Sequence, residues 1–199
     1  MVQQNDDDIR IGARVTLSDN FYKLEKVSFQ QPGRDGGEET LEREIYYNGP
    51  GAGVLPVDRE RQVVLLVRQL RIAAKLNGDV PFLVEICAGM IDGGDEPAET
   101  IAKEAEQELG YRLHGIRKVF ELYMSPGASA EKLHLFIADY RPADRIASGG
   151  GLPEEGEQIR VLEVPIDKAW KMVESGGIID AKTILMLQHL RLESIARSD

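Results

Sequence analysis

Ala88-Gly89-Met90-Ile91-Asp92-Gly93-Gly94-Asp95-Glu96-Pro97, running on through Ala98 to Lys103-Glu104-Ala105-Glu106-Gln107-Glu108-Leu109-Gly110-Tyr111, is the stretch on which the fold turns. A glycine-rich turn delivers straight into a short helix. At 3.6 residues per turn, Ala98, Ile101, Ala102, Ala105 and Leu109 fall on one stripe and face a core. Glu104 and Glu108 lie one turn apart on the border of that stripe, where like charges repel by a few tenths of a kcal/mol, roughly. Glu108 also sits in the last turn before Gly110, a C-cap glycine, where the helix dipole disfavours an anion by roughly 0.3 to 1 kcal/mol. Stability alone would not select this arrangement, whereas a metal held between two acids would. On pattern alone an ordinary acidic surface helix, helped by Asp95 or Glu96 at its start and a Glu99–Lys103 pair, stays open.

Strand-like runs surround this segment. Upstream, Asn20 to Phe29 and Thr40 to Tyr47 alternate apolar and polar residues and read as a hairpin, closed by a boundary at Asn48-Gly49-Pro50-Gly51. Val54 to Val57, Gln62 to Arg71 and Phe82 to Cys87 follow as strands, the second apolar enough for a central position. Downstream come Arg117 to Tyr123, Lys132 to Ala138 and Ile159 to Pro165, with a long acidic, glycine-rich loop from Pro142 to Gln158. Helices are expected over Ile166–Ser175 and Ala181–Arg197. Strands mixed with a few helices indicate an α/β or α+β sandwich with a small antiparallel β region at its N-terminal end. Residues 1–48 form that region, and 49–199 the main domain.

Composition narrows the class. The chain has 199 residues, is 42% hydrophobic and 29% charged, and carries a net charge of -10. That length supports one good core. The acid excess argues against nucleic acid as a partner, since phosphate backbones are held by lysine and arginine clusters. No apolar run is long enough to span a bilayer, and Met1-Val2-Gln3-Gln4-Asn5-Asp6-Asp7-Asp8 is unlike a signal peptide, so membrane association is not expected and cytoplasmic residence is. The single cysteine, Cys87, sits in an apolar run and reads as a buried, inert thiol.

Several familiar motifs fail letter by letter. Gly127-Ala128-Ser129-Ala130-Glu131 lacks the last glycine of a nucleophile elbow, and Gly177-Ile178-Ile179-Asp180-Ala181-Lys182-Thr183 lacks the second glycine of a P-loop. Gly49-Pro50-Gly51-Ala52-Gly53 precedes a strand instead of opening a helix, so it is no dinucleotide fingerprint. His114, His134 and His189 show no metal-ligand spacing, and Trp170 at helical spacing reads as packing.

The segment from Gly89 to Tyr111 resembles the Nudix box, G-x5-E-x7-R-E-U-x-E-E-x-G-U with U apolar. Gly89, Glu104, Ala105, Glu108 and Gly110 fall in register. Asp95 stands at the first Glu position, Lys103 replaces the Arg, Gln107 replaces one acid, and Tyr111 closes the box. Val67-Arg68-Gln69-Leu70-Arg71, Glu85-Ile86-Cys87-Ala88-Gly89, Phe120 to Gly127, Gly149-Gly150-Gly151 and Asp180-Ala181-Lys182-Thr183 are similar to the ADP-ribose and GDP-mannose pyrophosphatase branch of that superfamily, closest to its GDP-mannose hydrolases.

The resemblance implies a Nudix α/β/α sandwich with a mixed sheet and an N-terminal strand region exchanged across a homodimer. It implies magnesium, with manganese as a substitute, bound by Glu104, Glu108, Glu157 and the Ala88 carbonyl. Glu157 would be a ligand or the base for the attacking water, with Glu154 and Glu155 competing for that role. Gly89 and Met90 would line the substrate, Arg71 would contact the diphosphate or sugar phosphate, Glu131 the substrate, and Lys182 the far end of the site. Phe21 would stack on the base, while Glu42, Arg43 and Glu44 would reach into the neighbouring subunit. The implied reaction is hydrolysis of a nucleoside diphosphate sugar, GDP-mannose to GMP and mannose 1-phosphate. ADP-ribose hydrolysis is the nearest alternative, and a catalytically weak nucleotide-sugar binding module is another.

Overall fold

The computed structural model describes residues 8–152 and 156–196, so Glu154, Glu155 and Arg197 lie outside the described residues. The chain divides into two compact units, Met1–Gly49 with Tyr123–Lys132, and Pro50–Leu122 with Leu133–Asp199.

The first unit is built on a three-stranded antiparallel sheet of β1 (Arg10–Asp19), β2 (Lys23–Pro32) and β3 (Glu38–Tyr47), in that order. β1 was not among the expected strands, although Ile11, Ala13, Val15 and Leu17 alternate along it. Its apolar members stay exposed, Ile11 at 64% and Val15 at 50%. Glu25 on β2 is buried and accepts a 2.7 Å hydrogen bond from Arg14 Nε.

The elements of the second unit are β4 (Gly51–Asp58), β5 (Val63–Leu70), α1 (Ile72–Leu76), β6 (Phe82–Glu85), β7 (Cys87–Met90), α2 (Pro97–Glu104), β8 (His114–Tyr123), β9 (Lys132–Asp139), β10 (Arg160–Pro165), α3 (Ile166–Glu174) and α4 (Ala181–Ala196). Its strands form a seven-stranded mixed sheet ordered β10-β5-β4-β9-β8, with β6 on β5 and β7 on β4. β4 is buried along its whole length and runs parallel to β9. Side chains alternate along a strand, so Ala52, Val54, Leu65 and Val67 pack with Ile101, Ala105 and Leu109 in one cluster. Leu55, Leu66 and Leu135, of the opposite parity, are equally buried, and α4 packs against β4. Helices therefore cover the sheet, and the continuous apolar run Val63–Val67 is what a strand covered on both faces requires.

Two local departures from the expected strands shape the site. The run Phe82–Cys87 is not one strand: it leaves β5 after Glu85 and joins β4 at Cys87. At the step between them, the Ile86 N–H donates to Thr183 Oγ1 at 2.8 Å, so the broken ladder leaves no orphan donor. Pro56 is tolerated in a central strand because β4 changes partner there, pairing β7 over Gly51–Val54 and β5 over Val57–Asp58.

Candidate active site

The helix that opens at Pro97 does not run unchanged to Leu109. After Glu104 it widens into a π-helical turn, Ala105–Leu109, closed by the Gly110 N–H donating to Ala105 O. Such widened turns recur at functional sites because they re-aim side chains. Here Ala105, Glu108 and Leu109 are all buried, with Glu108 at 2% exposure, so this carboxylate enters the interior instead of lying on the border of the stripe. Two further expectations shift: Ala98, in the first turn, stays exposed, and Thr100 is buried in the stripe. Gln107 is exposed and stands outside the acid cluster.

Glu108 Oε2 accepts the Ala88 N–H at 3.3 Å, and the Cys87 thiol hydrogen-bonds the same carboxylate. Burial, with Glu104 and Glu157 repelling it, pushes the Glu108 carboxyl up to about 7. Burial, then the neighbouring Glu108 charge, drives the Cys87 thiol well above its usual range, so it is a free, buried and unreactive cysteine.

Gly89 forms the cradle for Glu104. A Cβ there would stand 2.2 Å from Glu104 Oε1, so only glycine admits that carboxylate against the strand. Ala88 and Gly89 are half-buried on β7, and Met90 at its end is exposed.

Glu157 is brought in by the loop that caps the widened turn. Gly150 N–H donates to Glu108 O at 2.8 Å and Gly151 N–H to Gln107 O at 3.3 Å, satisfying carbonyls that a helix end leaves open. Gly110, at φ 76°, allows the approach: a Cβ there would stand 2.4 Å from Ala147 O. From this anchor the loop carries Glu157, whose Oε2 accepts the Leu152 N–H at 3.0 Å.

Arg71 and Lys182 converge on a residue that sequence reasoning did not single out. Glu85, 1% exposed, accepts Arg71 Nε at 2.8 Å and Nη2 at 2.9 Å, and Lys182 Nζ at 2.6 Å. Lys182 also donates to Asp180 Oδ1 at 2.8 Å. Asp180 in turn caps α4, its Oδ2 accepting the Thr183 N–H at 2.9 Å. Burial raises the Glu85 carboxyl, but Arg71 and the Lys182 charge outweigh it and hold the group below its usual value. A charge inside the apolar run Phe82–Cys87 was the signal that could have found it.

The remaining expected site residues belong to the first unit. Phe21 is 80% exposed and meets Tyr22 edge-on at 4.7 Å. Glu42, Arg43 and Glu44 are exposed on β3, with Glu42 ion-paired to Lys26 at 3.3 Å and Arg43 over the Phe29 ring at 5.8 Å. Glu131 is half-buried, its N–H donating to Ser129 Oγ at 3.2 Å.

All three histidines lie beside carboxylates: His114 with Asp144, His134 with Glu121 and His189 with Glu193. Trp170 is half-buried, with Nε1 donating to Glu174 and Arg191 over its ring.

Among the described residues no three His, Cys, Asp or Glu side chains are gathered closely enough to hold a metal ion by themselves. The charged groups that act on Glu108, which include Glu104 and Glu157, nevertheless offer oxygen donors, with a glycine cradle beside the buried acid. That chemistry fits a hard divalent cation, which takes a few carboxylates and keeps several waters.

The Nudix domain model matches residues 47–185, more than half of the chain. The chain belongs to the Nudix family. A model of the GDP-mannose pyrophosphatase NudK N-terminal domain matches residues 8–46. The GDP-mannose pyrophosphatase of Cronobacter sakazakii is 47% identical over 180 residues, covering 90% of this chain and 93% of its own. That of Salmonella typhimurium is 44% identical over 176 residues, covering 88% and 91%. A solved ADP compounds hydrolase shares the fold, with a TM-score of 0.74, 17% identity and 96% of both chains covered. Nudix hydrolases generally use divalent cations, in keeping with the oxygen donors here. Two departures from the Nudix box also answer each other, since Lys103 Nζ pairs with Asp95 Oδ2 at 3.0 Å and ties the turn to the helix.

Proposed function

We propose that this protein hydrolyses the diphosphate bond of a nucleoside diphosphate sugar, with GDP-mannose preferred, releasing GMP and mannose 1-phosphate. The observation that carries the reading is the Glu108 carboxylate, buried and facing the like charges of Glu104 and Glu157. The substrate assignment draws on the activity for which relatives spanning nearly the whole chain are named.

Glu104, Glu108, Glu157 and the Ala88 carbonyl would hold magnesium, for which manganese can substitute. When bound, the cation offsets phosphate charge and favours in-line attack by water. Arg71 has Nε and Nη2 committed to Glu85, leaving Nη1 to donate to a phosphate oxygen. Lys182 has two of its three donors engaged, leaving one for the far end of the substrate. Glu157 accepts the proton of the attacking water as the new P–O bond forms. The bridging P–O bond breaks and its electron pair leaves with the other phosphate.

Residues 1–48 would serve as the dimerising region, with the Nudix domain over 49–199. A second copy would cover Ile11, Val15 and Leu17 and receive Glu42, Arg43 and Glu44 at its site, with Phe21 stacking on the base and Glu131, Gly89 and Met90 lining the substrate. Among the described residues no helix is long and apolar enough to cross a membrane. Cytoplasmic residence is part of the proposal.

The test is a panel of GDP-mannose and ADP-ribose, each with magnesium, manganese or chelator, with the released mononucleotide identified. GMP from GDP-mannose with either cation, and none with chelator, is expected. AMP as the dominant product would transfer the assignment to ADP-ribose. Ligand-induced thermal shift without any product would make the protein a binding module.

A further inference from the structure

Gln69 is a buried polar side chain for which the pyrophosphatase chemistry has no use. It lies near the end of β5 at 9% exposure, and its Nε2 is enclosed with no hydrogen-bond acceptor among the described residues. Buried amides are nearly always paired, and this one, held by no side-chain hydrogen bond among the described residues, can turn about its last torsion to present Nε2 to the cavity that the residue lines.

The surroundings define that partner. Gln69 lines a cavity of about 340 Å³ together with Arg71, Phe82, Glu157 and Gln158. Glu85 fixes Arg71 on one side, and Glu157 stands on another. An anion here would be opposed by Glu157, and a cation by Arg71. A hydroxyl suits this mixture, because it accepts from an amide N–H and donates to a carboxylate or an amide oxygen. Phe82 and Leu70 add apolar surface, which the C–H groups of a sugar ring match. Gln69 and Arg71 are two positions apart on an extended backbone and so fall on the same side of it, both lining the cavity.

We propose that Gln69 is a specificity residue whose amide donates to a hydroxyl of the sugar on the second phosphate. This rests on the nucleoside diphosphate sugar reading and sharpens it, since sugar choice would then be made on β5 rather than at the metal.

Gln69→Met keeps the length of the side chain and removes the amide, and Gln69→Leu removes it at similar volume. Losing an unpaired buried donor should leave melting temperature unchanged or raised in both variants. For GDP-mannose, kcat/KM should fall about 10-fold. The preference for GDP-mannose over GDP-glucose should shrink, while inhibition by GMP, which has no sugar on a second phosphate, should stay the same. Unchanged kcat/KM and sugar preference in a folded variant would overturn the role. So would equal losses for both sugars with weakened GMP inhibition, which indicate general damage to the site. Wild-type protein inert toward every nucleotide sugar would instead overturn the substrate reading itself, and this proposal with it.

Discussion

Glu85 holds Arg71 through two parallel hydrogen bonds, Nε to Oε1 at 2.8 Å and Nη2 to Oε2 at 2.9 Å, and so fixes the plane of the guanidinium. The acid is buried and the base is 42% exposed, so the pair is anchored inside and open outside. Truncating it with Glu85→Ala should cost roughly 2 to 3 kcal/mol, less than for a wholly buried pair because water screens Arg71. The folded Glu85 carboxyl lies below its ordinary 4.5, so its contribution is present above that pH and is lost as pH falls through the lowered value. Urea unfolding at pH 7 and at pH 3.5 measures this. A deficit in the variant that is the same size at both pH values would refute the linkage.

Replacing a metal carboxylate has a different signature. Glu108→Gln should reduce turnover on the order of 100-fold or more, above about 2.7 kcal/mol of barrier. The same change removes a buried charge, so the metal-free variant should melt higher than wild type at pH 8. Steady-state release of GMP and a thermal melt in chelator read the two effects. Near-normal turnover would remove Glu108 from the metal site.

Glu108 also sets a pH dependence opposite to that of Glu85. Its carboxyl is raised from 4.5 to about 7 in the folded chain, so the folded state binds the extra proton. In chelator, its contribution is fully present below pH 4.5 and lost as pH rises through about 7, a swing on the order of 3 kcal/mol. Melting temperature in chelator should therefore fall between pH 5 and pH 8, with magnesium restoring part of the loss at the upper end. A melt that is flat across that interval, in both wild type and Glu108→Gln, would contradict the burial argument.

The exposed apolar residues of β1 predict self-association. Val15→Asp should convert a dimer into a monomer, as followed by sedimentation equilibrium at micromolar concentration. Wild-type protein sedimenting at the mass of one chain would dispose of the dimer.

Much of the main domain was legible from local chemistry. The apolar run Val63–Val67 reads as a doubly covered strand, and Glu104 and Glu108 read as stacked acids from spacing alone. β1 was not read from the sequence, although Ile11, Ala13, Val15 and Leu17 alternate along it, and its apolar residues are not spent on the core of the chain. The five-residue helix α1 was not read either, because little more than one turn shows no repeat of the pattern.

The glycine turn and the two acids a turn apart were written in the order of residues, because spacing along a helix is a property of the covalent chain. Tertiary structure decided which of those acids is buried. The widened turn at Ala105 is capped by the Gly149–Gly151 loop, which returns from far along the sequence. It likewise decided that Arg71 and Lys182 meet at Glu85, since residues just past β5, on β6 and on α4 share no local pattern. Charges that distant find one another only after burial of the sheet has settled where the chain crosses itself, and that step supplies the orienting carboxylate.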